Sequence, residues 1–175
     1  MNTNVCVLHF FFPRLRNFAL FGFVLMINFA IARAQSSLEE LKTPIQDLKE
    51  VYFNTINSDI DAATDFNGYQ EFWMVDSLDI HTQAIKILSY REEKLYTELY
   101  FVQYGKIIYA LEEVKGVPLN HRTQSIWRCE YFIKDGQVVD YTSLGHGKTE
   151  DDAWRPEDIL VQFSKRKVEF NKIQK

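Results

Sequence analysis

Two stretches of this chain spell the same β-hairpin. Tyr96–Tyr109 and Trp127–Asp140 superpose at an offset of 31 residues, which lays Tyr100-Phe101-Val102 on Tyr131-Phe132-Ile133 and Gly105 on Gly136. The same offset lays Ile107-Ile108 on Val138-Val139. Each copy is a β-rich run, a dipeptide ending in glycine, and a second β-rich run. A two-residue type I′ turn needs positive φ at both central residues, and glycine adopts it without steric penalty. Asp135-Gly136 and Tyr104-Gly105 are therefore the expected turns.

Residue pairing across such turns assigns the faces. With two-residue loops, 101 pairs with 108 and 132 with 139. One face then carries Leu99, Phe101, Ile108, Ala110, Phe132, Val139 and Tyr141. The other carries Trp127, Tyr100, Val102, Ile107, Tyr109, Leu111, Tyr131, Ile133 and Val138. An antiparallel sheet with one face in water alternates apolar and polar residues. Neither face here is polar throughout, so both are expected to be covered, by helices, by curling of the sheet, or by a partner.

The first 34 residues are set apart from the fold. Arg14 and Arg16 precede an apolar run, Phe18–Ile27, and Ala32-Arg33-Ala34 is a small-x-small cleavage pattern. The run is shorter than the ~20 residues that span a bilayer and is interrupted by Asn28. The expectation is a signal peptide over 1–34 and one domain over 35–175, exported to a bacterial periplasm or the extracellular medium without stable membrane insertion once the signal is cleaved; the alternative is a segment kept as an anchor. The segment holds three arginines and no acid, so its loss takes the formal charge from −4 to −7. That sign disfavours nucleic acid and anionic membrane surfaces as partners. Cys6 leaves with the segment and Cys129 stays alone, without an internal disulfide partner. It shares strand phase with Trp127, Tyr131 and Ile133, which predicts a buried thiol.

Further along, Ser36–Ser58 reads as helical, with Pro44 expected to open the main helix after a short turn. Ile45, Leu48, Tyr52, Thr55 and Ile56 form its apolar face. Asp59–Gly68 reads as an acidic loop. Period-two patterning predicts strands at Glu71–Val75, Ile80–Tyr90, Leu95–Gln103, Lys106–Val114, Gln124–Lys134 and Gln137–Leu144. Short connections make them an antiparallel meander. Pro156 opens a C-terminal helix with Glu157 and Asp158 early and Lys165, Arg166 and Lys167 late, the polarity its dipole favours.

No stretch spells a catalytic or metal-binding motif. Gly145-His146-Gly147-Lys148-Thr149 lacks the earlier glycine of a phosphate loop, since position 142 is Thr. Asp59, Asp61 and Asp65 miss the ligand positions of an EF-hand. His81, His121 and His146 lack zinc-site spacing. No cofactor and no metal ion is implied. The remaining candidate surface is aromatic and acidic: Tyr100, Tyr109, Tyr131 and Trp127 with Glu98 and Asp140, expected to hold a protein, peptide or glycan partner.

The second hairpin, Glu130–Val139, and less closely Glu98–Ile108, resemble the aromatic-Phe-x-x-Asp-Gly hairpins of a group of small, uncharacterised exported bacterial proteins. The resemblance implies a signal peptide, an N-terminal helix, a twisted antiparallel meander and a closing helix, and carries over no functional residue. The expected fold is α+β: a curved antiparallel meander of about six strands, with a helix at each end packing on one face. The expected function is that of a non-catalytic exported binding domain using the aromatic sheet face. The alternatives are an exported hydrolase with Glu98 or Glu130 beside a histidine, and a structural envelope component that associates with itself.

Overall fold

The structure is a computed structural model and describes residues 36, 38–66, 68–116 and 124–173. The expected signal segment 1–34 and the loop holding Pro118 and His121 lie outside the described residues. The chain divides into two units, 1–43 and 44–175. The first contributes helical residues 36 and 38–43, with the Thr43 hydroxyl donating to the Glu39 carbonyl at 2.9 Å. The turn expected before Pro44 is absent, because the backbone is helical on both sides of it.

The second unit is a helix (α1, residues 44–55), seven strands and a closing helix. The strands are β1 (Ala62–Phe66), β2 (Tyr69–Ser77), β3 (Thr82–Arg91), β4 (Lys94–Gln103), β5 (Lys106–Gly116), β6 (Gln124–Lys134) and β7 (Gln137–Gly145). They form one open antiparallel sheet in sequence order, followed by the helix α2 (Asp158–Ile173). The α+β meander is thus as the sequence suggests, with seven strands rather than about six. The extra strand, β1, falls in the presumed acidic loop. Its acids serve the backbone: Asp61 accepts the Val75 N–H at 2.6 Å and Asp65 accepts the Gly68 N–H at 3.1 Å, which turns the chain into β2.

Both repeated turns have the expected conformation, with φ of 49° and 72° at Tyr104-Gly105 and 52° and 78° at Asp135-Gly136. The pairing beyond them is not as expected. Phe101 faces Tyr109, not Ile108, and Phe132 faces Asp140, not Val139, because the register shifts by one residue in each hairpin. The extra residue is a β-bulge, and it stands at the same place in both copies, Ile108 and Val139. Every side chain after it changes face. Tyr109 and Leu111 therefore join Leu99, Phe101 and Phe132, whereas Ala110 joins Tyr100, and Tyr141 faces Tyr131.

The two helices cover opposite faces, not the same one. Tyr52 of α1 packs edge-on to Phe101 with ring centroids 5.8 Å apart, and Lys49 lies over the Tyr109 ring. Phe163 and Phe170 of α2 pack on Tyr100 and Trp73, on the other face. The reason is the apolar content of both faces: two buried surfaces need two covers, and one layer of helix reaches only one of them. The larger core lies under α2, with Trp73, Tyr100, Cys129, Tyr131, Ile133 and Ile159 all nearly inaccessible.

Candidate functional site

The face under α2 is largely apolar, yet two carboxylates project into it from strands on either side of β3. Glu71 on β2 and Glu98 on β4 both point toward α2, where Arg166 meets them. Arg166 shares its helix stripe with Ile159, Phe163 and Phe170 and is buried with them. Its Nη1 and Nη2 donate to Glu71 Oε2 and Oε1, each at 2.9 Å. Its Nε and Nη2 donate to Glu98 Oε2 and Oε1 at 2.9 and 2.6 Å, and Nη1 also reaches Glu169 at 2.9 Å. The planar guanidinium matches this geometry because its donors form a fixed fork. Arg91 adds a bond to Glu71 at 3.2 Å and stacks between the rings of Tyr69 and Tyr96.

Depth separates the two carboxylates. The Glu71 side chain is 1% exposed and Glu98 16%. Burial lifts the Glu71 carboxyl above its ordinary range in spite of Arg166. Burial also acts on Glu98, but Arg166 and the Tyr100 hydroxyl, donating at 2.6 Å, outweigh it and hold that carboxyl below its ordinary range. The Tyr100 phenol is driven well above its usual value by burial and by the Glu98 charge.

A second cluster lies beside the first on the same face. Glu112 stands opposite Cys129 and next to Glu98 across β4 and β5. It accepts the Tyr131 hydroxyl at 2.8 Å and pairs with Lys148 at 2.5 Å. Lys148 and Thr149 come from the glycine-rich exit of β7, and the Trp127 indole N–H donates to Ser143 and Thr149 at 3.1 and 3.0 Å. That exit ties down the end of the sheet. Across the sheet, Glu130 binds Lys49, Arg128 and Tyr109.

The sequence-chosen site residues are therefore split. Tyr100, Tyr131, Trp127 and Glu98 share the α2 face, while Tyr109 lies under α1 with Asp140 in its phase. Three tyrosines and Trp127 are buried, so their rings are packing surface and their polar tips bind carboxylates or hydroxyls. Glu98 and Glu130 meet no histidine among the described residues; His146 pairs with Glu150 in the open, and His81 stacks on Tyr104. The described residues contain no group of three acidic, histidine or cysteine side chains placed to hold a metal ion.

The space open to a ligand lies alongside α2. One cavity of about 720 Å³ runs from Phe66 past Arg166 to Lys172, and a second of about 400 Å³ runs from Tyr96 to Trp127 and Lys148. Arg91, Glu98 and Gln162 line both, so the two meet there and form one trough. Four of its carboxylates are ion-paired: Glu98 and Glu169 share Arg166 with Glu71, Glu112 pairs with Lys148, and Glu113 with Lys115 at 2.8 Å, whereas Asp158 accepts only the Arg155 backbone N–H among the described residues. Lys94, Lys165 and Lys172 also line it and make no ion pair among the described residues. Sequence reasoning missed Arg166 and Gln162. The signal was there, because Arg166 falls at i+3 from Phe163 and at i−4 from Phe170 and so belongs to the buried stripe.

No helix among the described residues is long and apolar enough to cross a membrane. No family model matches the chain, and no curated protein or solved structure matches it.

Proposed function

We propose that this chain is an exported, non-catalytic binding domain that holds its partner in the trough beside α2, not on the aromatic sheet face beneath it. The observation that carries this reading is the charge imbalance of the trough. Its four lining glutamates are ion-paired within the protein, whereas three lysines are not, and the one lining acid without an ion pair among the described residues is Asp158. A ligand there meets unpaired cations and the half-exposed valines Val161 and Val168, which suits an acidic and partly apolar partner. The catalytic alternative needs a histidine beside Glu98 or Glu130, and among the described residues His146 pairs with Glu150 and His81 stacks on Tyr104 instead. Export rests on the first 34 residues and on the likeness to small exported proteins.

The test fills the trough. Gln162→Trp places an indole at the junction of the two cavities, one helical turn before Arg166. Components captured from a cell-envelope extract by the immobilised protein are compared with those captured by the variant, with thermal unfolding as the check on folding. Loss of a captured component in an equally stable variant supports the reading. Identical capture by both proteins overturns it.

A further inference from the structure

The outward surfaces of the two helices complement each other. Along α2, Val161, Lys165, Val168 and Lys172 recur at i, i+4, i+7 and i+11 and so form one stripe. Both valines are 57% exposed, and neither lysine has an ion pair among the described residues. On the opposite side of the sheet, α1 and the loop after it present Asp47, Glu50 and Asp59, all exposed and likewise without an ion pair among the described residues. Beside them Val51, Phe53 and Ile60 are 44, 54 and 58% exposed. One side of the molecule is thus apolar and acidic and the other apolar and basic.

We infer that the trough's partner is a second copy of this chain, which seats its acidic α1 surface against the basic α2 stripe of its neighbour. This rests on the reading of the trough as the binding site. The assignment to a second copy follows from the molecule offering both halves of the match: the acidic, apolar complement that the trough calls for is present on the same chain. Because the two surfaces lie on opposite faces of the sheet, the contact is heterologous and each added copy exposes a fresh surface of each kind. Such contacts extend as open chains unless the rotation between copies happens to close a ring. Apolar contact supplies the attraction, while the charges fix register and speed encounter.

The experiment swaps the charges. Asp47→Lys/Glu50→Lys reverses one surface and Lys165→Glu/Lys172→Glu the other, and sedimentation velocity is measured on the full chain over concentration and salt. The wild type is expected to form concentration-dependent oligomers that shrink as salt rises. Each variant alone is expected to associate at least about tenfold more weakly, since like charges then face each other. An equimolar mixture of the two variants is expected to associate again, because each restores the other's complement. A wild type that stays monomeric, or association indifferent to reversal, or no recovery on mixing, overturns the inference. In the first case the capture experiment with Gln162→Trp still decides the trough reading, so the two failures are distinguishable.

Discussion

Arg166 grips Glu71 through two parallel hydrogen bonds of 2.9 Å, joining the closing helix to the second strand across 95 residues of sequence. Both side chains are almost inaccessible, at 8 and 1% exposed. Removing one partner of a buried ion pair leaves a charge that neither water nor protein satisfies, at a cost of about 3–5 kcal/mol. Arg166→Met should destabilise by that amount in urea titration. Adding Glu71→Gln and Glu98→Gln to it should recover part of the loss, since the orphaned charges go with them.

The same residues set the acid limb of stability. Glu98 and Glu130 have folded-state values below the ordinary 4.5: burial raises both, but Arg166 outweighs it at Glu98 and Lys49 at Glu130. Between that lowered value and 4.5 the unfolded chain binds more protons, so stability rises with pH there and is lost as pH falls through the folded value. Glu71 is shifted the other way and offsets part of the trend. Denaturant midpoints measured downward from pH 6 should fall below pH 4.5, and Glu98→Gln should flatten that fall.

Cys129 is fully buried and its thiol is pushed up to about 11, by burial first and by the Glu112 charge in addition. Thiolate is the reactive form. A disulfide reagent at pH 8 should leave Cys129 of the native protein unlabelled and modify it only as fast as the domain unfolds, read on a Cys6→Ser background. Prompt labelling at native conditions would show that the thiol is reachable from the folded state.

Two glycines should respond differently to alanine. Gly136 has φ of 78° with open space around it, so Gly136→Ala should cost about 1–2 kcal/mol of backbone strain and leave the packing alone. At Gly147 a Cβ would stand 2.2 Å from the Trp127 ring, so the indole must move and lose its bonds to Ser143 and Thr149. Gly147→Ala should cost about 1–3 kcal/mol as overpacking and alter the near-ultraviolet circular dichroism, which Gly136→Ala should not.

The turns at 104–105 and 135–136 were legible because they depend on local backbone chemistry that glycine and aspartate announce. The bulges at Ile108 and Val139 were not. Each sits in an unbroken apolar run, Ile107-Ile108-Tyr109 and Val138-Val139, where a slip of one residue leaves the hydrophobic pattern unchanged. Hence the greasiness of both faces could be read while the membership of each face could not. β1 was hidden for a different reason: Ala62-Ala63-Thr64-Asp65-Phe66 has weak strand propensity and is held by its antiparallel pairing with β2 and by the Trp73 indole donating to Thr64 at 2.9 Å. The sequence groups Arg166 with Lys165 and Lys167 near the end of a helix, but the helix runs on to Ile173 and puts Arg166 in its middle. Its neighbours in the stripe, Phe163 and Phe170, point instead to a buried tie.

A chain that writes one ribbon twice invites its last helix to settle on the wrong copy. At the offset of 31, Tyr100 corresponds to Tyr131, but Glu98 corresponds to Cys129. A thiol gives a guanidinium nothing to hold. Arg166 thus acts as an address: with α2 laid over the second ribbon it would meet Glu112, which Lys148 already holds, in place of Glu71 and Glu98.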